Sequence, residues 1–406
     1  MRDQPSLAAR PLLGLALALS LGTVVSLGVT RFAYALLLPP MRADLHWSYT
    51  LAGAMNTANA VGYLAGALLT PRLLRAIEPS RLLVAGCVVA GLLMAAPGFL
   101  LGAIPLLLQR LLAGVASALT FIGGSLVAAR LGSLQPARGG LLLGLYYSGT
   151  GLGIVLSALA VPPLLEAAGG QPHGWALAWW GLALACLACT AVLAWPARVL
   201  RQSPATSAAS QPATAFRWPR FVPALAAYFM FGVGYIGYMT FVIALLREHG
   251  AGAARITLFY SLLGVAVMAS SRIWAGLLDR AKGGEALALL SALLAVATVL
   301  PAWTAWWPLV LVSGVMFGGV FLSLVASTTA LVRHNLPQDQ WAGGITGFTI
   351  VFAVGQIVGP TVVGWIADGP GGLPRGLVFS AAALGLGALL AARQRPLASA
   401  ASPRTA

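Results

Sequence analysis

Long uninterrupted runs of apolar residues recur along the whole chain, and they restrict its fold more than any other feature. A helix needs roughly 20 apolar residues to cross a hydrocarbon core of about 30 Å, and such runs follow one another from residue 11 to residue 393. Only 8% of the 406 residues are charged, against about a quarter in a typical soluble domain. Strands of a membrane barrel would alternate apolar and polar side chains, whereas these runs are apolar throughout. The sequence therefore predicts an all-α polytopic membrane protein.

The apolar runs, bounded by charges, prolines and glycines, predict twelve transmembrane helices. Their approximate limits are 11–38, 49–70, 81–101, 105–130, 139–165, 174–196, 220–246, 254–278, 285–301, 308–332, 341–367 and 373–393. The segment 198–219 is long, polar and rich in Ser, Ala, Pro and Gln, which is typical of a flexible linker. The sequence thus predicts an N-terminal six-helix bundle over residues 1–197 and a C-terminal bundle over residues 220–406, joined by a cytoplasmic linker.

Basic residues are concentrated in every second loop. One set of loops holds seventeen of the 24 basic residues: Arg2, Arg10, Arg72, Arg75, Arg81, Arg130, Arg138, Arg198, Arg201, Arg217, Arg220, Arg280, Lys282, Arg333, Arg393, Arg395 and Arg404. The alternate loops hold four, Arg42, Arg247, Arg255 and Arg375. By the positive-inside rule, this asymmetry predicts a multi-pass protein of the cytoplasmic (inner) membrane with both termini in the cytoplasm. Nucleic-acid binding would need a clustered basic face, and no such cluster is visible.

The two predicted bundles repeat each other in sequence. GVTRFAY (residues 28–34) corresponds to GVGYIGY (residues 232–238) at an offset of 204 residues. AGALLTPR (residues 65–72) corresponds to AGLLDR (residues 275–280), and glycines recur in helices five and eleven. Such duplication is the usual construction of transporters whose site lies between two halves.

Several glycines are spaced four residues apart, in GYLAG (62–66), GTGLG (149–153) and GQIVG (355–359). This spacing places both glycines on one helix face, where they let a neighbouring backbone approach closely. GTGLG does not indicate a nucleotide site, because no strand precedes it in an α/β unit. The residues predicted to serve helix packing or sliding during a conformational change are Gly66, Gly149, Gly153, Gly359 and Pro360.

Three arginines, Arg31, Arg110 and Arg272, lie inside predicted spans. Arg31 is about 15 Å of helix away from Met41, where polar sequence resumes. A buried arginine costs at least roughly 2.5 kcal/mol on insertion scales, so such residues usually face a water-filled cavity or a partner. Arg272 precedes Asp279 by seven residues, and pairing with groups near the cytoplasmic edge is its alternative interpretation.

Acidic residues are missing from the centres of the predicted spans. Of the nine, Glu166, Glu248 and Asp368 lie at the outer ends of spans and the others lie in loops or at edges. All four histidines are in loops as well. An uncompensated guanidinium favours an anionic substrate, because a carboxylate would neutralise it and accept two parallel hydrogen bonds.

Aromatic and amide side chains at membrane depth complete the predicted site. Tyr34 lies three residues after Arg31 and therefore on the same helix face. Each tyrosine or amide could equally form a hydrogen bond between helices. The predicted substrate-binding residues are Arg31, Tyr34, Asn56, Asn59, Arg110, Tyr235, Tyr238 and Gln356. No metal site or cofactor is predicted, and the cysteines at 87, 186 and 189 are interpreted as small packing residues.

Several segments resemble the major facilitator superfamily. GLLDRAKGG resembles its cytoplasmic G-x-L-x-D-R motif, with Leu277, Asp279 and Arg280 in place and the glycine shifted to Gly276. QRLLAGVASA is similar to its R-x-x-x-G motif, at residues 110–114. The segment 31–66, RFAYALLLPPMRADLHWSYTLAGAMNTANAVGYLAG, resembles the YbfB/YjiJ-like branch more narrowly.

One departure concerns the equivalent loop of the first half, where LLTPRLLRAIEPSR has Thr70 and Pro71 in place of the motif's Asp. A charge lock in that half is therefore expected to be weaker or to be built from other residues. In the second half the resemblance implies that Asp279 and Arg280 take part in conformational gating, and Arg272 is grouped with them.

The resemblance implies two pseudo-symmetric six-helix bundles with helices one, four, seven and ten around a central cavity. It also implies a monomer in the lipid bilayer and the proton as coupling ion. The resulting interpretation is a secondary active transporter of a small organic solute, favouring an organic anion, that works by alternating access. Efflux of neutral or lipophilic compounds and a non-transporting membrane sensor are the alternatives. An enzyme would need a metal cluster, nucleophile pair or carboxylate dyad, and none is apparent.

Overall fold

The computed structural model describes residues 12–135, 138–201 and 218–397. These residues form twelve long helices and no strand, which confirms the predicted all-α fold. The helices are α1 Leu12–Asp44, α2 Tyr49–Leu73, α3 Pro79–Ala95, α4 Ala103–Ser133, α5 Gly139–Ala167, α6 Trp175–Arg201, α7 Val222–Glu248, α8 Ala253–Arg280, α9 Glu285–Trp303, α10 Trp307–Asn335, α11 Trp341–Asp368 and α12 Gly372–Ala392.

The predicted linker begins later than expected, because α6 continues to Arg201 instead of ending near residue 196. Most of that linker, residues 202–217, lies outside the described residues, as do residues 1–11 and 398–406 at the termini. Below, α1 to α6 are called the N-terminal half and α7 to α12 the C-terminal half. Within the N-terminal half α2 packs against α4 and α3 against α6, and within the C-terminal half α8 packs against α10 and α9 against α12.

Helix α2 differs from the other long helices in its polarity. Eleven described helices are long and apolar enough to cross a membrane, and α2 is not among them. At 25 residues it extends about 37 Å, so its length suffices, but amide side chains lower its mean hydropathy. These amides are buried against other helices: Asn56 Nδ2 donates to Thr240 Oγ1 at 2.8 Å, and Asn59 Nδ2 donates to the Arg110 carbonyl at 3.2 Å. A helix is therefore present where the sequence predicts one over 49–70, and its amide side chains contact other helices.

The same hydrogen bond recurs in both halves at the offset of 204 residues. Gln109 Nε2 of α4 donates to the Leu93 carbonyl of α3 at 2.7 Å. Ser313 Oγ of α10 donates to the Ala297 carbonyl of α9 at 2.6 Å. Both members of the second pair lie 204 residues after those of the first. This agreement between contact and sequence supports the internal duplication.

Glycines at the predicted helix contacts pack helices of the same half together. A Cβ on Gly149 would lie 2.1 Å from an α1 carbonyl oxygen, and one on Gly359 would lie 2.5 Å from an α7 carbonyl oxygen. A Cβ on Gly66 would lie 2.7 Å from an α4 carbonyl oxygen, and one on Gly153 2.7 Å from Gly28 Cα. Larger side chains would push these backbones apart. The role of these glycines in conformational change stays a prediction.

Close backbone contacts between the halves use other glycines, together with Pro360 of the predicted set. A Cβ on Gly53 of α2 would lie 2.1 Å from the Pro360 carbonyl oxygen of α11, and one on Gly364 would lie 2.2 Å from the Tyr49 carbonyl oxygen. A Cβ on Gly151 of α5 would lie 2.4 Å from an α8 carbonyl oxygen. The two halves therefore touch along α2 and α11 and along α5 and α8.

The halves are tied together toward one end of the helix bundle. This end, with Asp44, Tyr49, Glu248 and Asp368, is called the Asp368 end. The Asp368 carboxylate accepts hydrogen bonds from the backbone N–H of Tyr49 at 2.7 Å and of Thr50 at 2.8 Å. It also accepts one from Thr50 Oγ1 at 2.6 Å. A carboxylate of α11 thus caps the N-terminus of α2, where the helix dipole favours negative charge.

The opposite end, with Glu78, Arg130 and Asp279, is called the Arg130 end. Here Arg130 Nη1 pairs with Glu78 Oε1 at 2.7 Å, inside the N-terminal half. Helix α8 is exposed at the successive residues 271–273, so more than one of its faces is accessible near this end. The halves are therefore joined by hydrogen bonds at the Asp368 end, whereas the ion pair at the Arg130 end lies within the N-terminal half.

Candidate functional site

Helix α1 changes its type of winding around Arg31. Residues Leu12–Thr23 are α-helical, Val24–Phe32 form a π-helix, and Tyr34–Asp44 are α-helical again. The Thr30 hydroxyl donates to the Val25 carbonyl, five residues earlier, at 2.6 Å. The turns of a π-helix are wider than those of an α-helix, and such segments occur frequently at functional sites.

Side chains of α4 bind carbonyl groups of this π-helical segment. Arg110 Nη1 donates to the Thr30 carbonyl at 2.9 Å, and Ser117 Oγ donates to the Ser26 carbonyl. Arg110 Nη2 also donates to Asn56 Oδ1 at 3.1 Å. Arg110 is only 2% exposed, and its hydrogen bonds connect α4 with α1 and α2. Arg110 therefore contacts the π-helical segment that carries Arg31.

Arg31 itself is held by a neutral partner from the other half. Its Nη2 donates to Gln356 Oε1 of α11, and Tyr235 OH of α7 donates to the same oxygen at 2.6 Å. The Arg31 guanidinium carbon lies 5.9 Å from the Tyr63 ring centroid. Arg31 is 5% exposed and Gln356 is 3% exposed. A buried guanidinium is thus satisfied by an amide and an aromatic ring, and its described partners include no carboxylate.

A stack of aromatic rings from the C-terminal half lies beside Gln356. The Phe231 centroid is 4.8 Å from that of Tyr235 and 5.2 Å from that of Phe352. Tyr235 lies 5.5 Å from Phe352 and 5.2 Å from Phe321. Neighbouring planes in this set are inclined by 10° to 26°. These rings are called the α7 stack, and the hydrogen bond of Tyr235 to Gln356 connects it with the Arg31–Gln356 pair.

A second group of rings comes from the N-terminal half. Tyr63 of α2 lies 6.4 Å from Phe121 of α4, which lies 5.6 Å from Tyr147 of α5. All three side chains are half-buried. Tyr63 also approaches Arg31, whose guanidinium carbon lies 5.9 Å from the Tyr63 ring centroid. These three residues are called the Tyr63 group.

The structure brings some predicted site residues into direct contact and separates others. Arg31, Gln356 and Tyr235 form one hydrogen-bonded unit, with Arg110 behind it. Asn56 accepts from Arg110 and donates across to α7, so it joins the two halves. These residues make up the centre of the candidate site.

The remaining predicted residues make contacts within the scaffold. Tyr34 OH donates to the Ala52 carbonyl at 3.0 Å while its ring lies 4.9 Å from the Arg110 guanidinium carbon. Tyr238 OH shares a hydrogen bond with Ser313 Oγ at 2.7 Å. Asn59 lies between α2 and α4. Whether these residues contact a substrate stays a prediction.

Residues that sequence reasoning missed include the Tyr63 group and the π-helical segment. Tyr63 follows Asn56 by seven residues and Asn59 by four, so the three share one face of α2. That spacing in the sequence indicates Tyr63 as a neighbour of the two amides. The change of winding in α1 has no comparable local signal, since the donors that bind it come from α4.

The predicted gating residues Arg272, Asp279 and Arg280 are exposed on α8 toward the Arg130 end. In the N-terminal half the charge contact at this end is built from other residues. Glu78 accepts hydrogen bonds from the backbone N–H of Ser80 and Arg81 at the start of α3 and also pairs with Arg130. Among residues 12–135, 138–201 and 218–397, no group of three or more His, Cys, Asp and Glu could hold a metal ion.

Solved structures with the same arrangement of helices are transporters. A bacterial homologue of the human lysosomal transporter Spinster, in an inward-facing and unoccupied conformation, matches with a TM-score of 0.70 at 15% identity, over 94% of this chain and 97% of that one. The nucleoside transporter NupG gives 0.70 at 15% identity, over 94% and 98%. The human organic anion transporter MFSD10 (TETRAN) gives 0.62 at 14% identity, over 94% and 100%. At these identities the likeness concerns the fold, which is that of the major facilitator superfamily.

The sequence also matches a family model described as "Uncharacterised MFS-type transporter YbfB" over residues 23–392. The chain therefore belongs to this family of major facilitator transporters, as the segment 31–66 indicated. No curated protein matches the sequence. Family membership makes the protein a multi-pass membrane transporter of a small molecule and not an enzyme.

Proposed function

We propose that the protein is a secondary active transporter that moves a small organic anion across the cytoplasmic membrane by alternating access. The observation that carries this proposal is the buried Arg31 guanidinium, whose hydrogen-bond partner is the neutral amide of Gln356. A charge at this depth is costly unless it is paired. A substrate carboxylate supplies the missing negative charge and matches the two-pronged geometry of a guanidinium.

Binding at Arg31 would also act on the contact between the halves. The Arg31–Gln356 hydrogen bond joins α1 of the N-terminal half to α11 of the C-terminal half. A carboxylate that takes the Arg31 donors competes with Gln356 for them, while Tyr235 OH continues to hold the amide. Substrate binding therefore changes the relative stability of two conformations, which is the thermodynamic requirement for coupling binding to movement.

The distribution of basic residues among the loops supports one orientation of the protein in the membrane. Arg72, Arg130 and Arg333 belong to the arginine-rich set of loops, so we place the Arg130 end in the cytoplasm. In this orientation the hydrogen bonds of Asp368 join the halves on the outer side, so we infer a conformation closed toward the outside. Both termini are cytoplasmic in this orientation, the protein acts as a monomer, and the proton is the coupling ion that family resemblance implies.

A second candidate function is efflux of neutral lipophilic compounds, which the half-buried rings of the Tyr63 group favour. The two functions differ in the role of Arg31. In anion transport Arg31 pairs with the ligand, whereas in lipophile efflux it remains bonded to Gln356 and serves the scaffold alone.

A thermal-shift screen of the purified protein separates these functions. The probes are benzoate, hexanoate and succinate as anions, uridine and fucose as neutral solutes, and tetraphenylphosphonium as a cation. A ligand that binds only the folded state raises its melting temperature. We expect anions to stabilise the wild-type protein and Arg375→Gln, an exposed control, but not Arg31→Gln. Stabilisation by the neutral or cationic probes alone, or equal anion shifts in Arg31→Gln, would contradict the proposal.

A further inference from the structure

Aromatic rings approach Arg31 from both halves of the molecule. From the N-terminal half, Tyr63 lies 5.9 Å from the guanidinium carbon. From the C-terminal half, Tyr235 shares Gln356 Oε1 with Arg31, and Phe352 lies 5.5 Å from Tyr235. An anion bound at Arg31 would therefore have rings of both halves nearby.

The aromatic rings near Arg31 differ in how much of their surface is accessible. Phe231, Tyr235 and Phe321 are buried, with exposures of 0%, 1% and 4%. Phe352 and Tyr63 are half-buried, so parts of their rings remain accessible. Only rings with accessible surface can touch a ligand, so the candidates among these five are Phe352 and Tyr63.

The planes of the α7 stack are close to parallel, with 10° between Phe231 and Phe352 and 22° between Tyr235 and Phe352. A flat ring laid on Phe352 would extend this stack in an offset geometry that aromatic pairs prefer. A saturated ring of the same size is puckered and lacks the π-system, so it gains the burial of apolar area without the additional stacking.

We propose that the substrate class is aryl carboxylates: the carboxylate binds the Arg31 guanidinium and the aromatic ring packs between Phe352 and the Tyr63 group. This inference rests on the proposed function, in which the substrate is an organic anion. An aromatic cation would suit the rings through cation–π contacts but would be repelled by Arg31. A neutral arene would leave the guanidinium without a counter-charge. The guanidinium and the rings together select a ligand that is both anionic and aromatic.

Two matched ligand pairs test the aromatic part of the proposal. Benzoate is compared with cyclohexanecarboxylate, and naphthoate with its fully saturated decahydro analogue, with dissociation constants taken from the concentration dependence of the melting temperature. Each pair keeps the carboxylate and the approximate size and differs in aromaticity. We expect the aryl member to bind the wild-type protein roughly 2- to 13-fold more tightly, the range that ring stacking adds to burial.

Substitutions of single aromatic residues test which ring produces the preference for aryl acids. Phe352→Leu is expected to bring the two members of each pair to within about 2-fold of each other, since leucine keeps apolar area but not stacking. Phe379→Leu is the matched control, because Phe379 is also half-buried but lines a surface cavity of α11 and α12. It should retain the wild-type preference. If Phe352→Leu fails to fold, Tyr63→Leu provides the same comparison from the other half.

The outcomes distinguish this inference from the function on which it rests. Equal or tighter binding of the saturated acids, lost in Arg31→Gln, overturns the aromatic assignment and leaves organic-anion transport intact. An aryl preference that survives in both Phe352→Leu and Tyr63→Leu also overturns it. If no carboxylate of either kind stabilises the protein, the anion proposal itself fails and the aryl assignment with it.

Discussion

Helices α1 and α7 occupy equivalent places in the two halves but bring different chemistry to the centre. Arg31 of α1 aligns with Tyr235 of α7 at the offset of 204 residues, and both side chains donate to Gln356. Helix α1 is π-helical over Val24–Phe32, whereas α7 is a continuous α-helix over Val222–Glu248. At equivalent positions, one half has the charge and an irregular backbone, and the other half has an ordered ring stack.

The ends of α1 and α7 also bring different chemistry together, around Tyr49. The Arg42 guanidinium carbon, near the end of α1, lies 3.7 Å from the Tyr49 ring centroid. Glu248, at the end of α7, accepts a hydrogen bond from Tyr49 OH. A cation from α1 and an anion from α7 thus meet at one side chain of α2. Under the proposed function, Arg31 of the N-terminal half binds the charge of the ligand, and the C-terminal half supplies Gln356 and the α7 stack.

The largest effect is expected from Arg110→Leu, which should lower the melting temperature because it removes the hydrogen bonds that support the irregular α1 backbone. The Thr30 carbonyl and Asn56 Oδ1 each lose a charged donor. A hydrogen bond to a charged group contributes about 1.5–3 kcal/mol, so we expect a clear fall in melting temperature. The equivalent position in α10 is Gly314, which makes no such bond, so the effect should be specific to the N-terminal half. Arg375→Leu is the control, and an unchanged melting temperature of Arg110→Leu would contradict this support role.

A smaller effect is expected from Asp368→Asn, which weakens the junction of the halves. Asparagine keeps one carbonyl oxygen but loses the charge that caps α2, a change worth about 1 kcal/mol. The Asp368 end should then open more often. We expect faster modification of a cysteine at Thr57, between α2 and α11, by a water-soluble maleimide in a cysteine-free background.

Asp44→Asn is the matched control for this experiment. Asp44 is at the same end, but it binds His173 and Trp175 inside the N-terminal half. Its substitution should leave the modification rate of the Thr57 cysteine unchanged. Equal acceleration by both variants would show that Asp368 has no special role in joining the halves.

The smallest effect on ligand affinity is expected from Tyr235→Phe, in α7. The ring and its stacking are retained, and only the hydrogen bond to Gln356 is lost. The net value of such a bond to stability is about 0.5–1.5 kcal/mol. Because the proposed function keeps this bond with and without ligand, the affinity for benzoate should change by no more than about 2-fold. Measured by thermal shift, a loss of affinity as large as that of Arg31→Gln would contradict the assignment of charge recognition to Arg31.

Much of the fold and part of the site could be predicted from the sequence. Charged or amide groups are conspicuous in apolar helices, so Arg31, Arg110 and Gln356 stood out without structural information. Tyr63 and Phe352 did not, because an aromatic residue in a membrane helix is ordinarily a packing residue. Their significance depends on which neighbours the fold places beside them.

The backbone features were less predictable. The π-helical segment is bound by side chains of Arg110 and Ser117, about 80 to 90 residues later in the chain, and no local propensity encodes such a contact. The capping of α2 by Asp368 likewise joins residues more than 300 positions apart. The glycine spacing correctly indicated close helix contacts, but it did not indicate that Gly53 and Gly364 would be the ones between α2 and α11.

The central claim is that Arg31 pairs with the negative charge of a ligand, and a charge comparison tests it most directly. Benzoate and benzamide have similar shapes and differ in charge, and their affinities can be measured for the wild-type protein and for Arg31→Gln. A charged hydrogen-bonded pair predicts that the wild-type protein prefers benzoate by roughly 10- to 100-fold and that Arg31→Gln loses this preference. Equal affinities in the wild-type protein, or a preference that survives in Arg31→Gln, would contradict the claim.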